Sequence, residues 1–195
     1  MGERTDAELI AASSATPSSF GPIFERHATV LHRYLIRRVG VDEAESMVGE
    51  VFRIAFEKRS TYDLERMSAR PWLYGIATNL VARRQRSEAR RLRATARLAV
   101  GRTDVLDELD DSDVDAVDAA SRWVLVAEAL MQLPVGERDA LLLHAWEGLS
   151  YADVGVALSI PVGTVRSGLN RARLRLRELT VADGEQHDSS ETLGG

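Results

Sequence analysis

Apolar residues recur along the chain at the three- and four-residue intervals of an α-helix. Phe20, Ile23, Phe24, His27, Val30, Leu31, Tyr34 and Leu35 form one such stripe, and Gly40 ends it. A second stripe joins Ala44, Met47, Val48, Val51, Phe52, Ala55 and Phe56. A polar loop, Ser60 to Ser68, separates it from a third stripe of Trp72, Leu73, Ile76, Ala77 and Leu80. Pro71 fits the first turn of that third helix, where its missing N–H is not needed. Three amphipathic helices can enclose one core, so the spacing predicts an all-α domain over residues 20–100. Residues 1–19 carry Ser13, Ser14, Pro17, Ser18 and Ser19 with little periodicity, and are expected to be a flexible N-terminal arm.

A second helical unit is predicted over residues 122–181. Val124, Ala127, Leu130 and Met131 start it, and Leu133-Pro134 marks a break. Glu137 to Trp146 reads as a helix with Leu141, Leu142 and Ala145 inward, stopped by Gly148. Ser150, with Asp153 three residues on, caps a short helix. Ser159-Ile160-Pro161 makes a turn, and a last helix runs from Val162 to Leu179. Leu149 to Arg177 therefore has the layout of a helix-turn-helix, with Val154, Leu158, Ile160 and Val165 packing its two helices. The outer face of the last helix carries Arg166, Asn170, Arg171, Arg173, Arg175 and Arg177. A merely solvated helix interleaves both signs of charge. Residues 164–177 hold five Arg and no acid, a set suited to base edges in the major groove and to phosphates. The tail 182–195 is polar and is expected to be disordered.

Composition, taken as a total, opposes this reading. The 195 residues carry 25 Lys+Arg against 30 Asp+Glu, a net charge of -5. The distribution reverses the inference. Residues 83–102 hold eight Arg and one acid, whereas residues 103–118 hold eight acids and no base. The acidic stretch has few large apolar residues and is expected to be a flexible linker over 101–121. The absence of cysteine excludes disulfides, thiolate metal sites and cysteine nucleophiles, and fits a reducing cytosol. No apolar run reaches the length of a membrane span, so a cytoplasmic location is expected. Asp111, Asp113 and Asp115 begin like a calcium loop, but Ala116 replaces its required Gly and Arg122 its closing Glu. His27, His32, His144 and His187 show no paired metal spacing. His27, Trp72 and Trp146 fall on inward stripes and are expected to be core. With no glycine-rich phosphate loop and no triad, neither an enzyme nor a cofactor is expected.

The segments Gly148–Val154 (GLSYADV), Ile160–Ser167 (IPVGTVRS) and Arg171–Arg173 (RAR) resemble the C-terminal domain of extracytoplasmic-function (ECF) sigma factors. These are small promoter-recognition subunits of bacterial RNA polymerase in the sigma-70 family. Upstream, Ala44–Phe52 (AESMVGEVF) resembles the family's polymerase-binding helix, and Pro71–Leu80 (PWLYGIATNL) its promoter-melting helix. The resemblance spans residues 18–180. It implies two small helical domains and a factor that binds core polymerase, reads the −35 and −10 elements and melts DNA. Thr164, Arg166, Ser167, Asn170 and Arg171 match the −35-facing positions, with Arg173 and Arg175 on phosphates. Tyr62, Asp63, Arg66 and Asn79 match the region that captures a flipped −10 base, and Arg83, Arg84 and Arg86 would hold the strand. Glu45, Ser46, Val48, Gly49, Glu50 and Arg53 match the surface that docks on the polymerase clamp helices. The implied partners are core polymerase (clamp helices and flap), promoter DNA and an anti-sigma factor. Ser46 stands where the family commonly has Asp, Gly49 where it has Gln, and Arg83 where many relatives have Asp. The acidic linker is either a solvated tether or a nucleic-acid mimic for a basic polymerase channel. Two other readings are a self-sufficient helix-turn-helix regulator and a partner-binding module without promoter activity.

Overall fold

The computed structural model describes residues 4–98 and 128–191, and helices are the regular elements among them. The acidic stretch 101–121, with its rejected calcium loop, and Val124 and Ala127 lie outside the described residues.

The chain begins with α1, Asp6–Ala12, rather than a flexible arm. Thr5 and Glu8 form a reciprocal capping box: the Glu8 amide donates to Thr5 Oγ1 at 3.2 Å and the Thr5 amide to Glu8 Oε2 at 2.8 Å. Seven residues are too few to hold a helix alone in water. Burial of Leu9 and Ile10 against the neighbouring helices supplies the remainder. A 3-10 turn, Pro17–Phe20, then delivers Phe20 into the core.

Helices α2, Gly21–Val39, and α3, Val41–Glu57, are joined by Gly40 alone, whose φ of +83° favours glycine. They pack with α4, Arg70–Leu98, along the predicted stripes. Two positions differ. Phe24 is 47% exposed, because it sits at the α2–α3 rim with its ring 4.8 Å from that of Phe52. Tyr74, outside the predicted stripe of α4, is fully buried edge-on to Tyr34. Gly49 sits mid-helix on α3, and a Cβ built there meets nothing within 4 Å. Gly49→Ala should therefore stabilise the fold by about 1 kcal/mol, read as a higher urea midpoint at unchanged slope.

The C-terminal helices are α5, Val135–Ala145, α6, Tyr151–Leu158, and α7, Val162–Glu191, preceded by helical residues 128–132. Ser150 caps α6 as expected, accepting from the Asp153 amide at 3.1 Å. Val154, Val165, Leu169 and Ala172 close the α6–α7 core. The turn between them uses Ser159 at φ +55° and brings the Ile160 carbonyl within 2.9 Å of a Cβ built on Gly155. Ala145, expected inward, is exposed at the end of α5, and Glu147 is buried instead. Residues 182–191, expected to be disordered, continue the backbone of α7.

The two groups of helices meet across α4 and α6. A Cβ on Gly75 would lie 2.6 Å from the Ala157 carbonyl oxygen, so only glycine permits this approach. Charged groups frame the contact. The Tyr74 hydroxyl donates to Glu147 Oε2, and Arg70 Nη2 donates to the Glu147 carbonyl at 2.8 Å. Arg38 and Asp139 form an ion pair at 2.7 Å with both side chains nearly inaccessible. Burial, together with Glu147, pushes the Tyr74 phenol well above its usual range.

Candidate nucleic-acid interface

The sequence places polar residues on the outer face of α7 because Val165, Leu169 and Ala172 claim the inner one. Thr164, Arg166, Ser167, Asn170, Arg171, Arg173 and Arg175 are all exposed. The structure sorts them into a centre and two flanks. Arg166, Ser167 and Asn170 occupy the centre, near the N-terminal end of the helix. On one flank, Arg171 Nε and Arg175 Nη1 both reach Glu137 of α5, at 2.7 and 2.6 Å. Glu137 is only 12% exposed at its side chain. On the other flank, Arg173 Nη1 lies 3.5 Å from the Tyr151 hydroxyl of α6. Glu137 had no signature in the sequence, since it lies 34 residues before Arg171. Leu174, half-exposed, also lies on the outer face.

The polar loop between α3 and α4 is a second candidate surface. Tyr62, matched to base capture by the resemblance, is buried: its ring packs 5.2 Å from that of Trp72, and its hydroxyl donates to the Arg66 carbonyl at 2.6 Å. It shapes the loop and is not presented to a strand. Asp63 Oδ1 accepts from the Glu65 amide at 3.1 Å, and Asp63 also pairs with Arg66 at 3.3 Å. Two apolar side chains missed by the sequence reading, Leu64 at 54% and Met67 at 73% exposure, stand out from the loop. Asn79, Arg83 and Arg86 are exposed along α4, whereas Arg84 is paired with Glu43 of α3. A cleft of about 420 Å³ lies between loop residues Glu65–Ser68 and Gly148, Leu149 and Asp153 of the C-terminal group.

The loop's exit is fixed from α1. The Ala69 amide donates to Asp6 Oδ2 at 2.8 Å, and the Asp6 amide donates to the Met67 carbonyl at 3.3 Å. His27 Nε2 lies 2.7 Å from the same Oδ2, and Arg26 Nη1 donates to Oδ1 at 3.0 Å. His27 is thus a buried core residue with a partner. Burial alone would raise the Asp6 carboxyl, but the bonds from His27, the Ala69 amide and Arg26 outweigh it and hold it at about 2. The charged form therefore stabilises the fold fully above its ordinary value of 3.8, and this contribution is lost as pH falls from there through about 2. The stability gap between wild type and Asp6→Asn should narrow over that window in urea titrations.

On α3, Glu45, Ser46 and Gly49 are exposed. Val48, expected on the docking surface, is buried and only edges the groove between α2 and α3. Arg53 is taken up by its own helix, with Nε donating to Glu50 at 2.9 Å and Nη1 to Glu57 at 2.5 Å. The Arg53 bond keeps the Glu50 carboxyl below its usual range.

Residues 23–91 match the family model for sigma-70 region 2, and residues 123–176 match that for sigma-70 region 4. The chain is 33% identical over 180 residues to the ECF RNA polymerase sigma factor SigL of Mycobacterium tuberculosis, covering 90% of this chain and 98% of that protein. It is 30% identical over 165 residues to ECF sigma factor SigW of Bacillus subtilis, covering 82% and 88% of the two chains. The fold is similar to that of CnrH solved with the cytosolic domain of CnrY, at TM-score 0.63, 24% identity and coverage of 91% and 98%. It is also similar to sigma factor RpoE solved with the anti-sigma factor NepR from Bartonella quintana, at TM-score 0.60, 23% identity and coverage of 85% and 99%.

Proposed function

Because the chain belongs to the ECF sigma factors of the sigma-70 family, it directs RNA polymerase to promoters, and we propose how its surfaces divide that work. Residues 20–100 bind core polymerase and handle the −10 element, residues 122–181 read the −35 element, and 101–121 tether them. The N-terminal end of α7 enters the major groove, with Arg166, Ser167 and Asn170 against base edges. Arg171, Arg173 and Arg175 turn to phosphates, which fix position without reading sequence.

Loop 62–68 receives an unstacked −10 base, with Leu64 and Met67 against its face and Asn79 on its edge. Arg83 and Arg86 hold the adjoining strand. Exposed Glu45, Ser46 and Gly49 form the polymerase contact together with half-buried Glu50, which is paired with Arg53. The protein has no catalytic residue of its own, works in the cytoplasm and is held in check by an anti-sigma factor. Among the described residues, no helix is long and apolar enough to cross a membrane. The observation that carries this reading is the arginine-rich, acid-free stretch 164–177 of α7, set by a capped α6 and preceded in the chain by a region-2 match. Run-off transcription with core polymerase tests it: a promoter-dependent transcript is expected, and loss of both transcript and core binding would contradict it.

A further inference from the structure

We propose that Asp6 is a positioning residue for −10 recognition, so that α1 is part of the base-reading apparatus rather than an appendage to the fold. The inference rests on the reading of loop 62–68 given above. That loop is shaped from within by the Tyr62–Arg66 and Asp63–Glu65 bonds. Its last residues are held from outside, by two bonds to the one residue Asp6. The Asp6 amide takes the Met67 carbonyl, and the Asp6 carboxylate takes the Ala69 amide. The two bonds straddle Ser68 and fix where the chain leaves the loop and enters α4. Met67, exposed at the loop surface, is therefore anchored through its own carbonyl while its side chain stays free for a base.

The anchor is itself held from several sides. Asp6 is buried, and its two oxygens are occupied by His27 and Arg26, successive residues of α2, as well as by Ala69. Three donors from two elements converge on one carboxylate, which leaves it a single orientation. A buried ion pair is weak evidence for stability, since an apolar substitute often serves as well. What it supplies here is one fixed geometry, at the point where the loop enters α4. Leu9 and Ile10 also secure α1 to the core, so its docking does not rest on the charge at Asp6 alone.

The test uses full-length protein with core polymerase and a single-stranded −10 probe selected from a random pool by the wild-type holoenzyme. The same strand with its captured base removed gives the discrimination ratio. Asp6→Ala should bind core within about twofold of wild type but lose about tenfold in discrimination. Asp6→Asn, which keeps one acceptor for the Ala69 amide, should lose about threefold. General destabilisation would instead lower core binding and both strand affinities together, and that pattern overturns the proposal. So does unchanged discrimination in both variants. If Asp6→Ala fails to fold, Asp6→Asn decides alone, with a loss under about 1.5-fold counting against the proposal. Asn79→Ala is run alongside. If it also leaves discrimination unchanged, the reading of the loop fails and the role of Asp6 falls with it. If Asn79→Ala loses discrimination while the Asp6 variants do not, only the role of Asp6 is refuted.

Discussion

An Arg166→Ala variant is expected to lose −35 recognition while binding core polymerase normally. Arg166 projects from the centre of the outer face of α7, one turn into the helix, where a guanidinium can reach both acceptors of a guanine. It is exposed, and among the described residues no acid is assigned to it, unlike Arg171 and Arg175 on Glu137. A good bidentate base contact contributes about 1–3 kcal/mol of discrimination, or about 5- to 150-fold in affinity ratio. Competition between a selected −35 fragment and single-base variants should show the ratio collapsing at one base pair. Arg175→Ala should instead weaken all fragments alike, as expected for a phosphate contact. Equal discrimination by wild type and Arg166→Ala would remove Arg166 from the base-reading set.

A second large effect is expected from Gly75→Ala. The added methyl would sit 2.6 Å from the Ala157 carbonyl oxygen and 3.3 Å from its carbonyl carbon and Cα, all backbone atoms that cannot swing aside. Within α4 alone the change is favourable, since Ala exceeds Gly by about 1 kcal/mol in a helix. Overpacking of a close contact costs about 1–3 kcal/mol or more. The substitution therefore leaves α4 intact and drives α6 away from it, returning Glu147, Asp139 and Arg38 to water. Small-angle scattering should report a larger radius of gyration, and amides around Glu147 should lose hydrogen-exchange protection. Gly49→Ala, with open space at its Cβ, is the matched control and should change neither. Unchanged scattering and exchange for Gly75→Ala would show that the contact yields without parting.

What the sequence made legible was what repeats locally. Stripes of period 3.6 located α2, α3, α4 and the helix-turn-helix, and the Ser150 cap and Ser159 turn fell where their chemistry required. Helix α1 was missed because seven residues cannot display a stripe, although the capping box Thr5-x-x-Glu8 before Leu9-Ile10 was a usable start signal. The contact between the two groups of helices was not legible at all. Asp139 and Glu147 look like solvent-facing acids until their partners arrive from Arg38 and Tyr74, far away in sequence. Among site residues, exposure was foreseen for Arg166, Ser167 and Asn170. Tyr62 and Val48 were misplaced because apolar bulk serves a core as readily as a contact surface, and neighbours in space decide which. Arg53 and Arg84 were matched to partner surfaces but meet acids of α3 first.

The pairing of Arg171 and Arg175 with Glu137 has a thermodynamic consequence for DNA binding. Each phosphate neutralised by a cation releases counterions, at about 0.9 per contact, so Arg171, Arg173 and Arg175 on phosphates would suggest a salt slope of about −2.7. Two of them are already paired with Glu137, and moving them to phosphates would leave its charge to be screened by solution cations. That screening opposes the release, and the slope becomes shallower than the arginine count implies. On the proposed division of the face, nonspecific adhesion would weaken accordingly, while the neutral contacts proposed for Ser167 and Asn170 would be untouched. The helix would thus be tuned toward reading sequence over gripping any duplex, and the tuning would reside in an acid on a different helix.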